Sequence, residues 1–199
     1  MFRLPRTLRL AAYLSNSVLV AGCAEPMIDA GPPSSAEAVT AGPDGWTVVT
    51  QPGWMHVAFP RPPKSFNRWD HTHQGQYTYR ELVEQSADGF QELRMVEYRG
   101  AKDIAEARAG LHQKMAMPPP GVHLEKMEPV SIGGAEGETM TAHVDAKSAT
   151  NGAPFPLVER IEVVWQGGRA FWMDCAVPVE KAANCERFLS SFTLESATP

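Results

Sequence analysis

Two imidazoles two residues apart on a strand point to one face. His71 and His73, in the run Asp70-His71-Thr72-His73, therefore have the spacing of a metal-binding pair, with His56 as a candidate third ligand. Residues 65–76 read as a polar loop, however, and no further Cys, Asp or Glu falls at a ligand spacing. The three histidines are expected to be solvated, and neither a metal nor another cofactor is expected. Glu159 and Glu162 are neighbouring acids on one strand, but three residues apart they point to opposite faces, which spoils them for general acid–base work. Ser190-Ser191 end a helical pattern without a G-x-S-x-G elbow or an ordered Ser/His/Asp set. Gly133, Gly134 and Gly137 have the look of a phosphate loop, but no lysine follows and the chain leads into a strand. A hairpin turn is expected there, and no catalytic residue is assigned.

Cysteine is the residue type that carries an assignable chemistry. Arg3, Arg6 and Arg9 open the chain with positive charge and no acid before Cys23. An apolar run over 10–20 follows, broken by Ser15-Asn16-Ser17, too short to span a bilayer and closed by small residues. Val20-Ala21-Gly22-Cys23 resembles the lipobox of bacterial lipoproteins. The resemblance implies cleavage before Cys23, a diacylglyceryl group on its sulfur and acylation of the new amino end; two or three chains give stable anchoring where one does not. Ala24 stands where an Asp signals inner-membrane retention in enteric bacteria, so the expected location is the outer membrane, facing the periplasm. Cys175 and Cys185 remain as a pair in an oxidising compartment, which favours a disulfide.

Removing residues 1–22 takes three of the 18 basic residues and none of the 23 acidic ones, leaving 15 against 23, a net charge of −8. Such a chain is repelled by nucleic acid and by anionic lipid, and nucleic acid is excluded as a partner. Residues 23–44 are small, polar and Pro/Gly-rich and read as a lipidated tether with a coil dimension of about 25 Å. Residues 45–195 are enough for one domain.

Within that domain Trp46 and Val48, then Met55, Val57 and Phe59, alternate around a turn at Gln51-Pro52-Gly53. A strand from Tyr77 to Val83 and one from Phe90 to Tyr98 flank Asp88-Gly89, a hairpin signature. Asp103 and Glu106 have capping-box spacing ahead of Ile104, Ala107, Leu111 and Met115, a helix with one narrow apolar face that Pro118-Pro119-Pro120 must end. A strand over 122–132 carries Pro129, which requires an edge or a bulge. Met140, Ala142 and Val144 alternate, and 147–156 reads as a loop. Ile161, Val163 and Trp165 answer Phe171, Met173, Cys175 and Val177 across Gly167-Gly168, and Pro178 opens a helix carrying Ala182, Cys185, Leu189 and Phe192 on one face. If that helix packs on the sheet face bearing Phe171 and Met173, the two sulfurs meet. The expected class is α+β, a mostly antiparallel sheet flanked by helices. Most of the five tryptophans are expected in the core, with Trp69 and Trp172 as candidates for a groove.

Residues 54–60, the helix after a hairpin, Ser131-Ile132-Gly133-Gly134 ahead of a strand and the closing 188–192 segment together resemble the PsbP/Mog1-type α/β/α sandwich. LpqN-like lipoproteins and type VI secretion immunity proteins share that fold. The resemblance implies a binding or accessory role by analogy and carries no functional residue to this chain. The expected function is a non-catalytic cell-envelope module that binds a protein or small ligand and reaches the membrane through its lipid. An immunity-type protein whose acidic surface meets a basic toxin is the first alternative. A metal-dependent enzyme using His56, His71 and His73 is the second.

Overall fold

The strand at the centre of the fold is also the most apolar: β10, Arg169–Pro178, has every residue after Arg169 buried. A strand covered on both faces reads as a continuous apolar run, not an alternating one. The computed structural model describes residues 38–42, 44–72, 75–86, 88–98, 101–118, 120–147 and 154–195. Cys23, the leader, residues 24–37 and His73 lie outside the described residues, as do the side chains of Trp69 and His71.

In chain order come β1 (Ala38–Ala41), β2 (Thr47–Gln51), β3 (Met55–Phe59), β4 (Lys64–Thr72), β5 (Gly75–Ser86), β6 (Gly89–Tyr98) and α1 (Ala101–Ala116). Then follow β7 (Val122–Ile132), β8 (Ala135–Lys147), β9 (Pro154–Gln166), β10, a 3-10 turn over Val179–Lys181, α2 (Ala182–Ser191) and β11 (Thr193–Leu194). Two antiparallel sheets result. A large one has the order β4-β5-β6-β10-β9-β8-β7, and a small one the order β1-β2-β3-β11. This is the expected α+β class, with the second face of the large sheet shared between the small sheet and α2.

The strict alternation of β2 and β3, buried at every second residue, turns Val49, Met55, Val57 and Phe59 toward the large sheet. They meet Leu93, Met95, Phe171, Met173 and Val177, while α2 adds Phe188, Leu189 and Cys185. Phe188 packs on Phe59 at 5.1 Å between ring centroids, and Phe192 on Phe171 at 5.6 Å. Cys175 and Cys185 are joined here with their Cα atoms 5.5 Å apart, both fully buried. On the opposite face α1 lays Ile104, Ala107 and Leu111 against Val96, Val163 and Trp165.

Several segments differ from the sequence reading. Residues 64–72, expected as mostly loop, form β4, an edge strand that only β5 pairs, so its polar residues need no second partner strand. Ala38–Ala41, in the stretch read as tether, pairs with β2 while all four residues stay exposed. The helix starts at Ala101, two residues before the expected cap at Asp103. Pro154 already belongs to β9, inside the expected 147–156 loop. Gly133 (φ 57°) and Gly134 (φ 82°) make the β7–β8 turn. Gly137 lies within β8 instead of the turn, where a Cβ would sit 2.0 Å from the Val163 carbonyl oxygen, so only glycine fits. Pro129 is on β7, an edge strand, as expected.

Candidate functional site

Strand register decides which polar side chains meet on the α1 face. Directly opposed residues of antiparallel strands share a face, and β10 sets Asp174 against Glu92 and Trp172 against Arg94 of β6. On the far side of β10, Ala176 opposes Glu159 of β9, while Arg94 is opposed from β5 by Glu81. Four carboxylates and one guanidinium thus lie on four adjacent central strands. Glu159 and Asp174 are 0% exposed, and Glu81, Glu92 and Arg94 between 3% and 4%.

The five groups divide into a satisfied set and an unsatisfied pair. Arg94 Nη2 lies 2.7 Å from Glu92 Oε1 and 2.9 Å from Glu81 Oε1, and Arg94 Nε donates to the same Glu81 oxygen at 3.0 Å. The guanidinium is thereby committed to two carboxylates. Both carboxyl oxygens of Glu159 and both of Asp174 have no hydrogen-bond partner among the described residues. Burial pushes the Glu159 carboxyl up to about 7. Burial also drives Asp174 well above the usual carboxylate range, helped by the negative charges of Glu159 and Glu92 and opposed by Arg94. Burial thus favours the neutral form of both carboxyls, and near neutral pH Glu159 is poised to gain or lose its proton.

Beside this cluster a small cavity separates α1 from the sheet. It is lined by Arg94, Tyr98, Leu111, Trp165 and Trp172 among others and has room for about one water. Trp172 Nε1 is buried there without an acceptor among the described residues, and burial pushes the Tyr98 hydroxyl up to about 12. Trp172 therefore sits in the interior, not in an outer groove. A protonated carboxyl can donate one hydrogen bond, and an ionised one can accept several or pair with a cation. The pair Glu159/Asp174 is thus equipped to receive a positively charged or donor-rich group, or to hold a proton near neutral pH.

The residues singled out from sequence fall elsewhere. His56 is on β3, its Nδ1 2.9 Å from Thr50 Oγ1 and its Nε2 2.9 Å from Glu195 Oε1. Glu162 points to the face opposite Glu159, as their spacing requires, and burial raises its carboxyl too. Ser191 Oγ accepts the Ala58 N–H at 2.8 Å and bonds the Phe188 carbonyl at 2.7 Å, a helix-end role. Sequence reasoning set Glu159 aside and missed Asp174, Glu92, Arg94 and Glu81. One signal was present: an acid inside Phe171-Trp172-Met173-Asp174-Cys175-Ala176-Val177, a run apolar enough for a strand buried on both faces. Among the described residues no three His, Cys, Asp or Glu side chains surround a metal-sized point, and no helix is long and apolar enough to cross a membrane.

No protein-family model matches the chain, and no curated protein is similar to it. Solved structures are similar at low identity. A cyanobacterial PsbP from Synechocystis is 11% identical over 88% of this chain and 99% of its own, with a TM-score of 0.41. LpqN of Mycobacterium tuberculosis, involved in cell envelope biogenesis, is 12% identical over 85% of this chain and 89% of its own, at 0.40. A Bacteroides thetaiotaomicron protein is 13% identical over 75% of this chain, also at 0.40, and this chain covers 48% of its length.

Proposed function

We propose that the chain is a lipid-anchored protein of the bacterial cell envelope that acts as a non-catalytic binding module, and that the α1 face of its large sheet takes the partner. The observation that carries this reading is the buried pair Glu159 and Asp174. A fold selected for stability alone gains from apolar side chains at such positions, because an unpartnered buried carboxyl carries a desolvation penalty of about 1–3 kcal/mol or more. Retaining two of them side by side, next to an arginine already committed elsewhere, suits a site that a cationic or donor-rich group completes.

Helix α1 packs on the same sheet face through Ile104, Ala107 and Leu111 and leaves a water-sized space above Arg94 and Trp172. Movement of α1 would open that space and leave the opposite core, which holds the small sheet and α2, in place. Lipidation of Cys23, ahead of a Pro/Gly-rich stretch of sequence, would keep this module at the membrane surface. Crosslinking in intact cells tests the reading. A discrete envelope partner joined through residues of α1 or the β6–α1 connection supports it. Crosslinks scattered over the whole surface, or none at the α1 face, overturn it.

A further inference from the structure

The β7–β8 hairpin has a register fault with a chemical consequence. From the turn outward, Ile132 pairs with Ala135 and Met127 with Met140, and Lys126 still follows this register against Thr141. Glu125 is then skipped: Leu124 pairs with Ala142, and His123 with His143. Glu125 is the extra residue of a β-bulge on an edge strand. Without the bulge His123 would oppose Val144, whose side chain is buried on the α1 face, and the two histidines would lie on opposite sides of the sheet. With it, both imidazoles stand directly across from each other on the outward face.

Bulges re-aim side chains, and this one aims two carboxylates. Glu125 Oε2 lies 3.2 Å from His143 Nε2, and Asp145 Oδ2 lies 2.8 Å from His123 Nε2. An ionised carboxylate only accepts, so Nε2 carries the proton in each neutral ring and Nδ1 carries the lone pair. That is the arrangement in which a carboxylate orients and enriches a metal-ligating histidine. All four side chains are more than half exposed, and the neighbouring Lys126 ammonium is engaged by Glu128 at 2.6 Å.

We propose that His123 and His143 form a two-histidine site for a transition-metal dication of the Zn(II)/Cu(II) type, bound through Nδ1 of each ring, with Asp145 and Glu125 as orienting partners. Cβ atoms directly across antiparallel strands are about 4.5–5.5 Å apart, which lets two ring nitrogens close to the roughly 3.3 Å bite of a tetrahedral ion with bonds near 2.0–2.1 Å. Two imidazoles and water complete the coordination, which makes this an open, exchangeable site.

Calorimetric titration of Zn(II) and of Cu(II) into the untagged, detergent-solubilised full chain at about pH 7.5 is the test, since imidazole ligands must be neutral to bind. One ion per chain is expected, Cu(II) tighter than Zn(II), with Mn(II) not detected. His123→Ala and His143→Ala should each weaken binding about tenfold or more, and deletion of Glu125, which removes the bulge, should do the same. His112→Ala, whose ring pairs with Glu138 from α1, should leave it unchanged. Binding that survives both His123→Ala and His143→Ala, or no Cu(II) binding up to about 1 mM, a Kd that corresponds to only about 4 kcal/mol, overturns the proposal.

Discussion

Glu159 and Asp174 stand on neighbouring strands of one sheet face, both with no solvent exposure and neither with a hydrogen-bond partner among the described residues. The relationship is thermodynamically legible. Glu159 rises from its ordinary 4.5 to about 7 on folding, so between those values the native state holds a proton that the unfolded chain has released. The contribution of this group to stability is full below about 4.5 and is lost as pH rises through about 7, a swing of about 3 kcal/mol. Asp174, also raised by burial, acts with the same sign. Denaturant midpoints measured between pH 4 and pH 8 should fall across that window, and Glu159→Gln should flatten the fall. A variant that keeps the full slope would show that Glu159 does not titrate there.

Arg94 is the counterweight to Glu81 and Glu92, which it contacts at 2.9 Å and 2.7 Å. Replacing it with alanine removes the cation that two buried carboxylates share, and breaking such a set from one side costs about 3–5 kcal/mol. Arg94→Ala should unfold at markedly lower urea, and adding Glu81→Gln and Glu92→Gln should recover part of the loss. No recovery in the triple variant would mean that lost packing, not charge, dominates.

Leu189 is 3% exposed on α2, against the sheet face that bears Cys175. Leu189→Ala is expected to cost about 2–5 kcal/mol in equilibrium unfolding. A loss under about 1 kcal/mol, the range of surface sites, would make α2 peripheral.

Cys23→Ala should abolish detergent-phase partitioning and leave an uncleaved or soluble precursor. Continued membrane association of a cleaved Cys23→Ala protein would contradict lipid anchoring through that sulfur.

Local pattern carried far in this chain. The alternation in 46–59, the Asp88-Gly89 hairpin, the α1 face and the pair of strands around Gly167-Gly168 are all visible in sequence, because each depends on neighbours a few residues away. Residues 64–72 were not legible as a strand: an edge strand has one partner and can stay polar, so no apolar alternation marks it. The acidic cluster was hidden for another reason. Glu81, Glu92, Glu159 and Asp174 come from four strands separated by up to 93 residues, and only the non-sequential order β5-β6-β10-β9 brings them together. The His123–His143 pairing depends on a single bulged residue, which composition does not reveal.

The central claim is that Glu159 and Asp174 are kept for binding and not for folding. Quantitative crosslinking from intact cells, comparing the native chain with Glu159→Gln/Asp174→Asn, addresses it most directly. Amides of the same shape remove the titrating groups with little change in volume, so the double variant should melt no lower than the native chain at pH 7.5. The account predicts that it nevertheless loses the partner recovered by the native chain, by about tenfold or more, as expected when about 1.4 kcal/mol or more of binding energy is removed. Undiminished recovery of the same partner by a folded double variant would contradict it.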